Sequence, residues 1–428
     1  RERSRWAASQ MHALFAFVAL VLGFTSIVFP NSLRPMSFVV FFLAGFLALA
    51  GSRGLVFNSR LLIWVLGSIV TLFYVGVGWY QRYTEAVLQV PFVYVVSPGI
   101  WLLVCSRLVA DYPLSSILRT TLFFGFLGGL SVFGFYFIFL TLGPDAVRWI
   151  IKLPNIEYGS GTAAATMYVF GSLMFVAGGF FAAPQLVNSP LNKFAMAVVL
   201  VAAALLSGRT ALMLSIGFGG MVFLVSLARH RGTGIKPRQA IGLIALLLMT
   251  GLVIVVAAER FGIDLARIFI SVAQKVASGG GEERGAQFVA LLQGMRETWF
   301  LGAGHGVGVS LIRSEEFPWR YELLWLATIY RVGVVGALIY FIPVAVIFAR
   351  YAAMLASRRN SPASDFMFGG FLAAFIGAAT NPYYESFEFQ WMLFLPFVYF
   401  TLYGSQRYTA ERATTADTQH VMRTVTAP

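Results

Sequence analysis

Long apolar stretches separated by short polar connections follow one another along the chain up to about residue 404. Most of these stretches approach the roughly 20 residues that an α-helix needs to cross about 30 Å of hydrocarbon. The strands of a membrane-spanning barrel would instead alternate polar and apolar side chains. The pattern therefore predicts an all-α, polytopic membrane protein.

The apolar stretches divide into about twelve predicted spans. Nine lie in residues 1–258, where the loops are short, and three lie in residues 322–404. Residues 259–321 form a long loop between the two groups, and residues 405–428 form a polar tail that we expect to be disordered. The spans are predicted at residues 12–29, 37–52, 61–80, 91–109, 119–142, 163–183, 193–207, 210–228, 239–258, 322–349, 365–381 and 386–404.

Arginines in the loops and termini set the predicted orientation. Both termini carry several of them, and an even number of spans places both termini on the same side of the membrane. The positive-inside rule makes that side the cytoplasm. Residues 259–321 then lie outside, where a long loop is exempt from the rule. We expect the first span to be the first helix of the bundle rather than a cleaved signal peptide.

The composition supports this class of protein and argues against others. Hydrophobic residues make up 58% of the chain and charged residues only 11%, a balance that a soluble protein of this size does not need. The net charge of +13 belongs largely to loops, and without a soluble basic domain we expect no nucleic-acid partner. The single cysteine, Cys105, lies in an apolar run, and the four histidines lie far apart in the predicted topology. The sequence therefore predicts no disulfide framework, metal site or cofactor.

The long loop has the pattern of a folded segment. Residues 263–277 have the apolar spacing of an amphipathic helix that could lie on the membrane surface. A second helix is predicted over residues 285–298, and a glycine-rich turn follows at residues 302–308. This turn is not a dinucleotide-binding fingerprint because no strand precedes it. We expect it to permit close approach of the backbone to a neighbouring segment.

Arg209 is the first candidate for chemistry. It lies on a hairpin between two apolar runs that is too tight to leave the membrane surface. A charged side chain near hydrocarbon costs roughly 2.5 to 3.5 kcal/mol even on the mildest insertion scale. Its guanidinium is therefore expected to face the protein interior, water or an anion, rather than to extend towards lipid headgroups.

Arg284 and Glu322 are the next candidates, at the start of a loop helix and at the outer end of the tenth span. Arginine binds phosphate oxygens with two parallel hydrogen bonds, and a helix start adds backbone donors. A carboxylate can remove a proton from a hydroxyl group. Two simpler roles remain open: Arg284 pairing with Glu282 or Glu283, and Glu322 capping a helix.

His305, in the glycine-rich turn, is a reserve acid or base, although a lone loop histidine is more often merely exposed. Glu385 lies at the outer end of the last span, either as a buried functional acid or in water. Further candidates for the substrate site are Arg320, Tyr321, Tyr158 and Gly304.

Three segments between about residues 158 and 400 resemble the O-antigen ligase and O-antigen polymerase superfamily of bacterial envelope glycosyltransferases. The segment 207–212, Ser-Gly-Arg-Thr-Ala-Leu, resembles the Ser-Arg-(Gly/Thr)-Ala-Leu hairpin of that family. Segment 284–304 is similar to its arginine helix and Pro-Leu-x-Gly-x-Gly turn, with Trp299 and Phe300 near the usual proline. Segment 322–336 resembles the start of the following span.

The resemblance implies a GT-C-like fold in the bacterial inner membrane. It implies transfer of a glycan from undecaprenyl pyrophosphate at the periplasmic face, without a metal and with inversion. In this interpretation Arg209 and Arg284 bind the pyrophosphate, Glu322 is the base and His305 is the reserve. From its periodicity alone, the amphipathic stretch 263–277 is predicted to form a lid.

One departure from the family pattern favours a polymerase over a ligase. The ligases have a histidine eleven positions before the glycine that Gly333 matches, and this chain has Glu322 there. Polymerases carry an arginine-x10-glycine pattern in this kind of loop, and Arg209 and Gly220 have that spacing. The expected partners are a lipid-linked glycan donor, a glycan acceptor, the lipid bilayer and a chain-length regulator. A ligase acting on lipid A core, a transporter without chemistry and a structural scaffold remain alternatives.

Overall fold

A computed structural model gives the fold of the chain. It describes residues 2–30, 32–51, 58–81, 86–147, 156–157, 166–167, 171–207, 210–229, 237–261, 270, 282–312 and 317–402. Within these residues the chain is helical apart from turns, loops and one pair of two-residue strands, so the predicted all-helical class is confirmed. The strands β1 (Ile156–Glu157) and β2 (Thr166–Met167) are antiparallel, with Ile156 opposite Met167. A helix starting at residue 163 was therefore a wrong prediction, because Thr166 and Met167 pair their backbone with β1.

The first part of the bundle runs from Glu2 to Arg229 and contains the helices α1 to α10. A π-helical turn, Phe92–Val96, interrupts the long apolar segment Ala86–Asp111, and Pro91 and Pro98 flank this turn. The other elements are α1 (Glu2–Ile27), α2 (Arg34–Ala50), α3 (Ser59–Tyr80), α4 (Ala86–Pro91), α5 (Ser97–Asp111), α6 (Leu114–Leu142), α7 (Pro144–Val147), α8 (Ser172–Ala182), α9 (Pro190–Leu206) and α10 (Thr210–Arg229).

The second part begins with α11 (Pro237–Phe261) and includes the loop helix α12 (Glu282–Glu297). The helix predicted at 285–298 thus exists and begins three residues earlier. The predicted span 322–349 is two helices, α13 (Leu324–Tyr340) and α14 (Ile342–Ala356). The last two are α15 (Pro362–Ala378), which starts with a Ser361 and Ser364 capping box, and α16 (Phe387–Leu402).

Several helices are long and apolar enough to cross a membrane. Among the described residues there are six such segments, and α2, α8, α9, α15 and α16 are shorter apolar helices. The chain is therefore a helical membrane protein, while the number of twelve spans stays a prediction. The six long segments are Gln10–Ile27, Ser59–Tyr80, Ala86–Asp111, Leu114–Ile138, Thr210–Arg229 and Leu324–Ala356.

The centre of the bundle is helix α8, every residue of which is buried. A helix that is apolar on all sides has to be surrounded by others, and α10 and α15 pack against it most closely. Glycines make this possible, since a Cβ atom at Gly178 would lie 2.5 Å from the carbonyl oxygen of Gly369. Small residues at such positions let membrane helices approach to backbone contact.

Helix α13 is broken at Gly333, whose φ of 66° and ψ of 176° are not helical. The break leaves backbone groups without helical partners, and the loop after α12 supplies them. Ala303 N–H donates to Tyr330 O at 2.8 Å, and Val334 N–H donates to Phe300 O at 3.0 Å. The segment 300–305 therefore lies along the broken helix and satisfies groups that would be costly to bury unpaired.

The same segment also contacts α3 on its other side. His305 N–H donates to Tyr74 O at 2.9 Å, and Gln81 Nε2 donates to Ala303 O at 3.0 Å. A Cβ atom at Gly304, where φ is 99°, would lie 2.6 Å from the backbone nitrogen of Gly78. The glycine-rich turn thus permits the close backbone approach that the sequence predicted.

We expect Gly78→Ala to lower the free energy of unfolding by roughly 1–3 kcal/mol, the usual cost of overpacking. Its Cβ would overlap the carbonyl oxygen of His305. Gly76→Ala is the matched control two residues away on α3, because a Cβ there meets nothing within 4 Å. Thermal unfolding in detergent micelles measures both, and equal melting temperatures would contradict the close packing of this turn on α3.

Candidate functional site

The loop helix α12 and the start of α13 bring two predicted site residues together. Arg284 lies in the first turn of α12, and its Nε donates to Glu322 Oε2 at 2.6 Å. Gln287, one turn later, accepts a hydrogen bond from the backbone N–H of Glu322 at 2.9 Å. Arg284 is thus paired with Glu322, the carboxylate that the sequence analysis assigned to the same site.

The pair is partly withdrawn from water. The Arg284 side chain is 25% exposed and that of Glu322 is 9% exposed. Helix α13 begins at Leu324 with Leu323 as its N-cap residue, so Glu322 lies one residue before the N-cap position. A guanidinium has five N–H donors in one plane. With Nε fixed by Glu322, the group is oriented to present the remaining donors to an anion.

A second charged cluster, which the sequence did not predict, lies deeper in the protein. Arg331 is only 1% exposed and donates to Glu385 Oε1, to Trp319 O and, at 3.2 Å, to Tyr94 Oη. Tyr94 Oη in turn donates to Glu385 Oε1 at 3.0 Å. Arg320 approaches the same carboxylate, with Nε 3.8 Å from Oε2. We refer to these five residues as the Arg331 cluster.

The Arg331 cluster joins segments that are far apart in sequence: the π-helical turn, the end of the long loop, α13 and the turn before α16. Glu385 is 5% exposed, so the alternative that it lies in water was wrong. The available sequence signal was Arg331 itself, an arginine inside an apolar span, since such residues are functional or paired by default. The sequence pattern gave no indication that Glu385 is the partner of Arg331.

His305 is buried against this cluster rather than exposed, as a lone loop histidine usually is. It is 2% exposed, its Nε2 lies 3.2 Å from Tyr340 Oη, and its ring centroid lies 5.1 Å from that of Tyr94. Burial, helped by the charge of Arg331, lowers the pKa of His305 to about 3. The imidazole is therefore neutral near pH 7 and is a weaker base than an ordinary histidine.

The remaining candidates divide into three groups. Tyr321 is fully buried and accepts the N–H of Val309 with its Oη at 2.7 Å, which makes it a packing residue of the loop. Gly304 supports the turn, and Arg320 stacks over the Phe317 ring at 4.3 Å. Arg209, Tyr158 and, apart from Ile270, the predicted amphipathic helix 263–277 lie outside the described residues.

The chain matches no protein-family model, no curated protein and no solved structure. Its class is therefore defined by the fold and the site alone. It is a helical membrane protein with an arginine on a loop helix paired to a carboxylate just before α13, and with a separate buried cluster that includes two arginines and one glutamate.

We expect His305 to make the free energy of unfolding decrease as the pH is lowered from about 6.5 to 3. In that range the unfolded state binds one more proton than the folded state, because the folded pKa is about 3 and the ordinary value is 6.5. Each pH unit then removes about 1.4 kcal/mol, so roughly 2 kcal/mol is lost by pH 5.

Thermal unfolding at pH 7.5 and pH 5 measures this effect in wild type and in His305→Gln, which should lose that part of the pH dependence. His12→Gln is the control, because His12 lies at an exposed position near the start of the chain. Identical pH profiles in wild type and His305→Gln would show that His305 is not held neutral in the folded state.

Proposed function

We propose that this chain is a polysaccharide polymerase of the bacterial inner membrane, with about twelve spans in a GT-C-like arrangement. It transfers a glycan from undecaprenyl pyrophosphate to the non-reducing end of another lipid-linked repeat unit, at the periplasmic face. The observation that carries the proposal is the contact between Arg284 and Glu322 at 2.6 Å. It supports the interpretation of these residues as parts of one site.

The reaction requires stabilisation of a leaving group. The bond between the anomeric carbon and the pyrophosphate oxygen breaks, and its electron pair passes to the pyrophosphate. Arg284, with Arg209, neutralises that developing charge without a metal, as preorganised donors do in other transfer reactions. Attack from the opposite face by the acceptor hydroxyl forms the new glycosidic bond and inverts the anomeric centre.

The hydroxyl proton has to pass to a base, and Glu322 is the proposed acceptor of that proton. Glu322 also orients Arg284 through its hydrogen bond to Nε, so the carboxylate serves two purposes. Binding of a pyrophosphate to Arg284 would draw the guanidinium towards the anion and leave the carboxylate available to the hydroxyl group. His305 is a poorer choice because its pKa is lowered to about 3.

A transporter for lipid-linked oligosaccharides is the second candidate. The buried ion pair between Arg331 and Glu385 favours it, because charged groups inside a helical bundle commonly mark substrate or proton pathways. The same pair has a structural explanation, since it joins four separated segments. A transporter requires no chemistry at Glu322, which makes the two candidates distinguishable.

The test is a reconstituted assay with purified protein and a lipid-linked repeat unit as the only substrate. We expect wild type to give a ladder of longer glycans. Glu322→Gln should lower the rate by roughly 100-fold or more, because both the base and the charge that orients Arg284 are lost. Glu297→Gln is the matched control: this residue lies at the exposed end of the same loop helix.

The other outcomes identify the alternatives. A ladder that survives in Glu322→Gln would remove Glu322 from the proton transfer. If wild type forms no ladder but transfers the glycan when lipid A core is added, the protein is a ligase. If neither product forms but lipid-linked oligosaccharide crosses the vesicle membrane, the transporter is correct and the polymerase proposal fails.

A further inference from the structure

A cavity lies between α1, α5 and α6, and its lining includes neither Arg284 nor Glu322. It has a volume of about 290 Å³ and follows α1 from Ala16 to Ile27, a rise of about 16 Å at 1.5 Å per residue. An engineered apolar cavity of roughly 150 Å³ already admits benzene. The cavity therefore has room for an elongated ligand.

The cavity opens sideways between α1 and α6. Leu20 and Ser116 are the exposed residues of its lining, and the others are buried or half-buried. Phe17, one turn from Leu20, and Phe123, two turns from Ser116, extend the same two helix faces and are exposed. Both helices belong to segments that are long and apolar enough to cross a membrane. This side therefore faces lipid, and a ligand enters from the bilayer.

The walls of the cavity are apolar and uncharged. The described residues that line it include no Asp, Glu, Lys, Arg or His. Trp101 Nε1 donates to Phe387 O at 2.6 Å, outside the cavity lining. Trp391 Nε1 likewise donates to Ser172 Oγ at 3.3 Å. Because an unpaired ion is costly to bury, such a cavity selects an uncharged ligand.

One polar group at the inner end of the cavity has no partner. Ser26 is 1% exposed and lines the cavity, and its Oγ forms no hydrogen bond within the described part of the chain. A serine in a helix can donate to the carbonyl oxygen four residues earlier, but here Leu22 O accepts from Thr25 Oγ1 at 3.1 Å. A buried hydroxyl without a partner is costly. A hydrogen-bond acceptor on a ligand would remove that cost.

We propose that this cavity binds a neutral lipid with a single apolar chain, whose oxygen accepts a hydrogen bond from Ser26. The chain leaves between α1 and α6 and continues into the bilayer. A long-chain alcohol is the simplest molecule with this chemistry, whereas a lipid phosphate carries a charge that the walls do not compensate. The inference does not rest on the polymerase proposal, because it uses neither Arg284 nor Glu322.

Photocrosslinking tests the proposal in the full chain in nanodiscs, with a dodecanol that carries a diazirine midway along its chain. Mass spectrometry of the peptides locates the label, and unmodified dodecanol competes for the site. Ser26→Ala removes the donor, and Ala19→Phe places a ring in the cavity. The matched controls are Thr121→Val, in the same wall but with its hydroxyl bonded to Ile117 O, and Ala13→Phe, at an exposed position of α1 outside the lining.

In wild type we expect the label on peptides of α1, α5 or α6 and its displacement by dodecanol. Ala19→Phe should lower this labelling at least tenfold. Ser26→Ala should raise the dodecanol concentration for half displacement at least fivefold, because the ligand oxygen is then buried without a partner. Both controls should stay within twofold of wild type.

Two further competitors separate the parts of the proposal. Dodecyl phosphate and dodecane, compared with dodecanol at equal concentration in the bilayer, should both displace the label at least fivefold less effectively. Equal displacement by dodecyl phosphate would show a groove for the chain of a charged lipid whose head group stays outside. Equal displacement by dodecane, or no effect of Ser26→Ala, would remove the contact with Ser26. Each of these results overturns the proposal, as does labelling that Ala19→Phe leaves unchanged.

Discussion

The buried ion pair between Arg331 and Glu385 is the interaction on which the packing of the long loop against the helical bundle depends. Neither charge could remain in this apolar interior alone, because the cost of burying an unpaired ion exceeds the stability of most contacts around it. Arg331 also donates to Trp319 O and Tyr94 Oη. One guanidinium therefore holds the end of the long loop, the π-helical turn and the turn before α16 in a single arrangement.

The position of Arg331 is linked to the broken helix that carries it. Gly333 interrupts α13 two residues later, and the carbonyl oxygen of Arg331 accepts the N–H of Gly304 at 2.9 Å. The loop that leads back from α12 is thereby joined to α13 by backbone hydrogen bonds. Because α12 carries Arg284 and the residues before α13 carry Glu322, this connection holds the two proposed site residues at a fixed separation.

Sequence reasoning could predict what depends on local pattern and not what depends on tertiary pairing. Apolar runs predicted the helical membrane class, and an arginine at a helix start predicted the position of Arg284. The partner of Arg331 lies 54 residues away, so no local pattern indicated it. The burial of His305 likewise follows from its loop lying between α3 and α13. The number of spans is hard to predict from the sequence because an apolar helix such as α8, with only 11 residues, is shorter than the roughly 20 residues that cross a bilayer.

A double-mutant cycle on Arg331 and Glu385, measured by the free energy of unfolding in detergent micelles, tests the central claim most directly. Arg331→Met and Glu385→Leu should each lower this free energy by roughly 3–5 kcal/mol, because each leaves the other charge buried without its partner. The double variant should lose less than either single variant, since the fully buried charges are then both absent and only the more exposed Arg320 has lost Glu385. If the two losses simply add, the pair does not hold these segments together and the account is wrong.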